Sequence, residues 1–104
     1  MATFDNDFIS PPLPHPGEIL REDFMEPLGM SAGALLKAMG LKDRTRIERL
    51  TREAQPVTPD TALRLERVFR MDAQFWMNLQ AQHDLSKALI EKRDEIGAIE
   101  ALVA

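Results

Sequence analysis

Residues 31–50, which read SAGALLKAMGLKDRTRIERL, decide the fold. Ser31 is a good helix N-cap, and small and apolar residues follow it at helical spacing until Gly40 ends the helix. Asp43 can cap a second helix only three residues after that glycine. Two short helices joined by a tight glycine turn predict helix-turn-helix geometry, in which the second helix enters the major groove of DNA.

The second helix of this pair has one apolar face and one basic face. At 100° per residue, Leu50 and Ala54 lie within about 60° of Ile47 and define a buried stripe. The opposite face is mostly guanidinium. Together with the turn and the start of the first helix of the pair, it gives the predicted DNA-binding residues: Ser31, Lys42, Arg44, Thr45, Arg46, Glu48, Arg49 and Arg52.

The residue types on this face suit contacts with DNA. The arginine fork can donate to O6 and N7 of guanine together, and it also binds phosphates. We expect four side chains in the major groove and phosphate contacts from Lys42, Arg52 and the helix start at Ser31. Glu48 can accept from cytosine N4, or it can pair with an arginine four residues away. The four groove residues are Arg44, Thr45, Arg46 and Arg49.

The charge distribution supports an anionic partner at the same place. The whole chain is acidic, with 13 Lys and Arg against 17 Asp and Glu. Residues 1–36 carry a net charge of −5, residues 37–70 of +4 and residues 71–104 of −3. A basic middle between acidic ends favours binding of an anion there. The alternative is a solvated surface stripe without a partner.

Size and composition limit the other possibilities. A chain of 104 residues is long enough for one domain with a modest core. The absence of cysteine excludes disulfides and thiolate metal sites, and we expect no cofactor, no metal and no small-molecule ligand. The N-terminal MATFDNDF lacks the order of a signal peptide, and no apolar run is long enough to span a bilayer. We therefore expect a cytoplasmic protein that binds no membrane.

The remaining segments predict an all-α chain, because no stretch alternates apolar and polar residues as a half-buried strand does. A first helix begins at HPGEIL, residues 15–20, and ends near Pro27 and Gly29. Thr58 and Pro59 begin a fourth helix, and a fifth follows Asp72 and runs on past residue 85. We expect a flexible arm at residues 1–14, a helix-turn-helix domain at 15–84 and a helical extension at 85–104.

The fifth helix carries a candidate contact surface. From Leu85 to Val103 its apolar residues follow a 4-3 alternation, with Lys92 in the one polar position. This seam can contact a second copy, contact another protein or fold back on its own domain. We favour the dimer, because a DNA site read by two helices one turn apart requires two-fold symmetry. The predicted interface residues are Trp76, Leu79, Leu85, Leu89, Ile96 and Ile99. For Trp76 and Leu79, three residues apart on the helix, a place in the core is the more common alternative.

Nothing in the sequence assembles a catalytic centre. His15 and His83 lack the spacing of a metal-binding pair, and we expect them to cap or pack against helices. Glu22, Asp23 and Glu26 cluster on the first helix, where a solvated face explains them more simply than acid–base chemistry. We therefore expect a protein that is not an enzyme.

Several segments together resemble a known family. HPGEILREDFMEPLGMS, ALLKAMGL, RIERL, TPDTALRLERVF and QFWMNLQAQHDL are similar to the HigA antitoxins, a branch of the Xre and lambda-repressor-type helix-turn-helix proteins. The resemblance covers about residues 15–85. It implies a five-helix lambda-repressor-like fold, a homodimer and binding to the protein's own promoter. It also implies neutralisation of a small RNA-cleaving toxin of the HigB/RelE type.

The sequence departs from the family pattern at the end of the basic helix. Family members often have a glycine near position 53, where this chain has EAQ at residues 53–55. The departure predicts that the helix loses its C-terminal cap. The turn also holds one residue more than usual, because Ile47 lies seven residues after Gly40. Two alternatives stay open: a stand-alone regulator without a toxin, and a protein-interaction adaptor whose helix-turn-helix no longer binds DNA.

Overall fold

The computed structural model describes residues 12–103, and all regular structure within that range is helical. The all-α prediction is confirmed, with a short sixth helix beyond the expected five. None of the helices in this range is long and apolar enough to cross a membrane. Residues 1–11 of the predicted arm lie outside the described residues. The helices are α1 (Pro16–Ile19), which continues into π-helical turns (Leu20–Met25), α2 (Ala32–Ala38), α3 (Arg44–Thr51), α4 (Pro59–Phe69), α5 (Ala73–Glu91) and α6 (Arg93–Gly97).

The predicted N-caps of α2, α3 and α4 all form. The Ser31 hydroxyl accepts from the backbone N–H of Ala34 at 3.1 Å, and the Asp43 carboxylate accepts from that of Thr45 at 3.0 Å. The hydroxyl of Thr58 accepts from the backbone N–H of Thr61 at 3.4 Å and caps α4, where Pro59 occupies the first helical position. Each cap satisfies one of the amides that a helix start leaves without a partner, so the element boundaries follow from single side chains.

The core lies between these helices and is closed by an aromatic group. Trp76 has no exposed surface, and its ring centroid lies 5.0 Å from that of Phe24 and 5.1 Å from that of Phe75. The prediction that Trp76 contacts a second subunit is therefore wrong, because its own chain covers it completely. The other buried apolar residues are Leu20, Met25, Leu35, Met39, Ile47, Leu50, Val57, Ala62 and Leu65. Leu63 of α4 is exposed despite its apolar side chain.

The first helix contacts α3 through its backbone. The Nδ1 atom of His15 accepts from the N–H of Gly17 at 2.8 Å and caps the helix start, as predicted. A β-carbon added to Gly17 would lie 1.9 Å from the carbonyl oxygen of Leu50 in α3. Only glycine allows the two backbones to approach this closely, which gives the HPG sequence at residues 15–17 a structural reason.

The cap at His15 requires a neutral imidazole, because Nδ1 accepts a hydrogen bond. His15 is buried, and its burial, followed by the neighbouring His83, lowers the pKa of His15 below its usual value. The two rings meet edge to face with their centroids 5.0 Å apart. His83 is held in turn by the carbonyl oxygen of Leu13, 2.6 Å from its Nδ1. Both histidines are therefore parts of the scaffold, and residues 12–103 contain no cluster of three or more His, Asp or Glu that could hold a metal ion.

The last helix differs from the predicted continuous extension. α5 runs past residue 85, as predicted, but it ends at Glu91. Lys92 has φ −117° and ψ 24°, and the short α6 then ends at Gly97. The 4-3 pattern of apolar residues therefore does not lie on one helix through Val103, and the prediction of a continuous seam is wrong. The chain bends at Lys92, the one polar position in the pattern.

Substitution of Gly17 by alanine tests the contact between the first helix and α3. We expect Gly17→Ala to lower the free energy of unfolding by about 1–3 kcal/mol, because the new methyl group would overlap the Leu50 carbonyl. Urea unfolding followed by circular dichroism measures this change. Gly33→Ala is the matched control: its nearest neighbour is 3.9 Å away, and it should gain roughly 0.5–1 kcal/mol from better helix propensity. Equal effects at the two positions would contradict the close contact.

Candidate nucleic-acid interface

The apolar side of α3 anchors it to the domain. Ile47 has no exposed surface and Leu50 is 1% exposed, as the helical pattern predicts. Ala54 was expected on the same stripe but is exposed, because α3 ends at Thr51 and the chain has already turned away. Of the other six residues of this eight-residue helix, three are exposed and three are half-buried.

The outward side of α3 carries most of the predicted DNA-binding residues. Thr45, Arg49 and Arg52 are exposed, as is Lys42 in the preceding turn. Arg44 is 64% exposed, and its Nε lies 3.4 Å from a carboxylate oxygen of Glu48 one turn along. A surface ion pair of this kind is worth little and separates readily, so Arg44 is available to another anion. The arrangement gathers four cations and a hydroxyl on one surface of the chain.

Arg46 has a different environment from the other arginines of α3. Its guanidinium forms an ion pair with the carboxylate of Asp60 and donates to the hydroxyl of Thr61 at 2.8 Å. Its side chain is 28% exposed, against 64% for Arg44. Arg46 therefore links α3 to the first turn of α4. The sequence assigned the guanidinium of Arg46 to the edge of a base in DNA. In the structure this group is already bonded to residues of its own chain.

A second arginine extends this link to the end of α2. The Nε of Arg64 lies 3.0 Å from the same carboxylate oxygen of Asp60, and its Nη1 donates to the carbonyl oxygen of Met39 at 2.8 Å. The hydrogen bond from Arg46, followed by that from Arg64, lowers the pKa of Asp60 below its ordinary value. Asp60 thus stays ionised under mildly acidic conditions and holds both cations. We call Arg46, Asp60 and Arg64 the arginine clamp.

Sequence reasoning missed the arginine clamp for a simple reason. The spacing of Asp60 and Arg64 by four residues was visible as a helical ion pair. The contact between Arg46 and Asp60 spans 14 residues, and the contact between Arg64 and Met39 spans 25. No local pattern encodes such pairs, because they depend on how the helices pack.

The C-terminal end of α3 is capped despite the missing glycine. The N–H of Ala54 donates to the carbonyl of Arg49 at 2.8 Å, and the N–H of Glu53 donates to that of Leu50 at 3.0 Å. These two bonds form a Schellman motif, with Glu53 at φ +63° in the left-handed region. The expectation that the cap is lost is wrong: the cap forms with a residue that is strained there. Arg21 of the first helix also donates to the carbonyl of Thr51 at 2.5 Å.

The other predicted interface residues lie apart from this surface. Leu85, Leu89 and Ile96 surround an apolar groove between α5 and α6. Ile99 is 70% exposed just after α6, whereas Leu79 is half-buried against the core. Ser31 lies at the exposed start of α2, where its hydroxyl already serves the cap of that helix. Its predicted phosphate contact stays a prediction.

Comparison with known proteins gives relatives that match over most of their length. The sequence is 49% identical over 82 residues to virulence-associated protein I of Dichelobacter nodosus, which covers 79% of this chain and 75% of that protein. The solved Pseudomonas aeruginosa antitoxin HigA with the higBA promoter has a TM-score of 0.82 and 37% identity, over 88% of this chain and 99% of that one. The antitoxin GraA in complex with its operator has a TM-score of 0.80 and 42% identity, over 88% of this chain and 92% of that one. The sequence matches no protein-family model.

Replacement of Glu53 tests the strain at the end of α3. We expect Glu53→Gly to raise the free energy of unfolding by roughly 1 kcal/mol, because glycine adopts positive φ without the clash of a β-carbon. A thermal melt should show a gain of roughly 4–8 °C in Tm. Glu53→Ala is the control, since it also removes the ion pair with Arg21, 3.6 Å away, but retains the β-carbon. A gain of the same size in the alanine variant would assign the effect to the lost charge instead.

Proposed function

The chain belongs to the HigA family of Xre-type helix-turn-helix proteins, and on this basis we propose that it is an antitoxin that binds and represses its own operon. The exposed cationic surface of α3 carries the DNA-binding part of the proposal. Two solved relatives support it, since one contains the higBA promoter and the other its operator.

The proposed reading surface is smaller than the residue types alone suggest. Arg44, Thr45 and Arg49 enter the major groove, where arginine forks contact guanine edges and the threonine contacts a thymine methyl or a phosphate. Lys42 and Arg52 bind phosphates at either end of the helix. Arg46 acts as a positioning residue, because its contacts with Asp60 and Thr61 fix the direction of α3. Affinity should fall steeply with salt, since phosphate neutralisation releases counterions.

We propose that two copies bind a two-fold symmetric operator. Reading two half-sites one helical turn apart requires a symmetric pair of recognition helices. The exposed apolar residues after α6 are the candidate contacts between the copies, because an aqueous monomer gains nothing from displaying them. Their exposed fractions are 70% for Ile99, 100% for Leu102 and 82% for Val103.

The toxin-binding half of the proposal rests on charge. The first helix and the turn after it expose Glu22, Asp23 and Glu26, on the chain segment with the most negative net charge. A small RNA-cleaving toxin of the HigB/RelE type needs a basic surface for its substrate. An acidic helix face complements such a surface and would occupy the place of the RNA backbone.

Single alanine substitutions of two arginines on α3 test whether Arg49 contacts DNA bases and whether Arg46 positions the helix. We expect Arg49→Ala to weaken binding to the upstream promoter duplex by roughly 5- to 150-fold, or about 1–3 kcal/mol, with Tm unchanged. Arg46→Ala should instead lower Tm, because it removes the link between α3 and α4. Fluorescence anisotropy and thermal melts measure the two effects.

Lys87→Ala removes the same charge from an exposed position on α5 and is the control for net charge. A loss as large as that of Arg49→Ala would mean that general electrostatics dominate binding. Unchanged affinity and specificity in the Arg49 variant would remove that residue from the interface. If the unaltered protein failed to bind the promoter even at low salt, the DNA-binding proposal itself would be wrong.

Co-expression tests the antitoxin role separately. We expect the tagged protein to co-purify with the product of a neighbouring reading frame that encodes a small basic protein, and to restore growth that this product arrests. Asp23→Lys with Glu26→Lys should weaken the complex at least tenfold and leave promoter binding unchanged, because both side chains are exposed. Glu22 is left in place, because it pairs with Arg21, which donates to the end of α3. Glu66→Lys on α4 is the control for added charge. Promoter binding without a toxin complex would leave a stand-alone regulator.

A further inference from the structure

Two histidines meet where the first helix, the end of α3 and α5 come together. The ring of His15 lies edge to face against that of His83, with the centroids 5.0 Å apart. His15 is buried and caps the first helix, whereas His83 is half-buried on α5. A cleft of about 300 Å³ lies beside the two rings and reaches the chain just after α3. The proposed function uses neither histidine.

The hydrogen bonds of the pair determine where each neutral ring carries its proton. Nδ1 of His15 accepts from the N–H of Gly17 at 2.8 Å, so the proton of this neutral ring is on Nε2. Nδ1 of His83 lies 2.6 Å from the carbonyl oxygen of Leu13, and a carbonyl only accepts, so this nitrogen donates. A second proton on His15 must therefore bind at Nδ1. It replaces the acceptor of the helix cap with a donor, which then faces the N–H of Gly17.

The surroundings of His15 favour its neutral form. Burial is the strongest influence and lowers the pKa of His15, because a charged ring is poorly solvated there, and the neighbouring His83 lowers it further. Two nearby carboxylates and a hydrogen bond to the backbone of Gln55 act in the opposite direction and more weakly. The charged and titratable groups around the ring are His83, Asp84 and Lys87 on α5 and, after α3, Glu53 with its partner Arg21 from the π-helical turns.

This direction of the pKa determines how the stability of the fold depends on pH. Above the ordinary histidine pKa of about 6.5, His15 is neutral in the folded and in the unfolded chain, and its cap contributes fully. Below that value the unfolded chain takes up a proton at His15 before the folded chain does. Stability therefore decreases as the pH falls, until the lowered pKa of the folded state is reached.

The cap is directly connected to the support of α3. Gly17, whose N–H is capped by His15, is also the residue whose backbone lies against α3, since an added β-carbon would lie 1.9 Å from the carbonyl oxygen of Leu50. The cleft beside the rings allows a second arrangement of the imidazole. Glu53 and Asp84 line this cleft, and both attract a positive charge on His15. A charged ring can therefore leave the cap and turn toward these carboxylates.

We propose that the His15–His83 pair is a pH-sensitive latch, which holds the first helix against α3 and releases it when His15 takes up a proton. The latch rests on the proposed function, because what it regulates is DNA binding by α3. Acidification loosens the support of this helix and weakens binding. A simple gain of positive charge would instead strengthen binding to DNA, so the sign of the effect distinguishes the latch from general electrostatics.

Urea unfolding at about pH 7.5 and about pH 5.5 tests the latch in the full-length protein. His15→Asn is the matched variant, because asparagine keeps an oxygen acceptor at the N-cap and does not titrate. We expect the urea midpoint of the unaltered protein to fall on acidification and that of the variant to fall less, since the carboxylates contribute equally to both. Equal falls in the two proteins would overturn the proposal.

An NMR titration of the unaltered protein gives a second measurement, which decides the question even if His15→Asn fails to fold. The chain has only two histidines, so two sets of imidazole signals report on the pair. We expect His15 to titrate below its ordinary pKa and the amide of Gly17 to lose protection from hydrogen exchange over the same pH range, after correction for the intrinsic exchange rate. A midpoint at or above the ordinary value, or an amide that stays protected, would mean that the pair is no latch.

Promoter binding at the same two pH values tests the connection to α3. Fluorescence anisotropy at constant salt should show affinity roughly fivefold or more weaker at the lower pH for the unaltered protein, and little change for His15→Asn. Equal or tighter binding by the unaltered protein at the lower pH would overturn the proposed regulation. A protein that binds the promoter at neither pH would contradict the proposed function instead, and the urea and NMR measurements would still decide whether protonation of His15 releases the first helix.

Discussion

The approach of the first helix to the carbonyl of Leu50 is the constraint on which the rest of the structure depends. It fixes the depth at which α3 lies in the domain, because a backbone contact at Gly17 leaves no side chain to adjust. Burial of Ile47 and Leu50 then sets the rotation of α3 about its own axis. Depth and rotation together determine which side chains face outward. His15 supports the contact by capping the first helix with a neutral imidazole in a buried position.

The arginines of α3 and α4 divide into two groups with different roles. Arg46 and Arg64 converge on Asp60 and hold the ends of three helices at fixed distances. Arg49 and Arg52 remain exposed on the far side of α3. An interface that must read a sequence benefits from this division, since a recognition helix of eight residues has few internal contacts to hold its direction. In the proposed function, one cation is held within the chain so that its neighbours on the same helix point reproducibly at DNA.

The structure also shows how a strained residue is tolerated at the end of α3. Glu53 adopts positive φ, a backbone conformation that favours glycine. The Schellman bonds at Ala54 and Glu53, with the contact from Arg21 to the carbonyl of Thr51, outweigh the strain. The end of α3 is therefore determined by the packing of the first helix against it rather than by the residue at the cap. A strained residue beside a candidate binding surface is a feature that composition alone does not reveal.

The sequence by itself determined the helical class, the N-caps of α2, α3 and α4, and the apolar stripe of α3. These features follow from contacts within four residues, such as Ser31 with Ala34 and Asp43 with Thr45. Segregation of charge along the chain also located the candidate surface. Only the tertiary structure decided that Arg46 is engaged, that Trp76 belongs to the core and not to an interface, two alternatives that the sequence left open, and that the last helix bends at Lys92. Those outcomes depend on partners 14 or more residues away, or on packing density around one side chain, and the periodicity of a single helix contains no information about either.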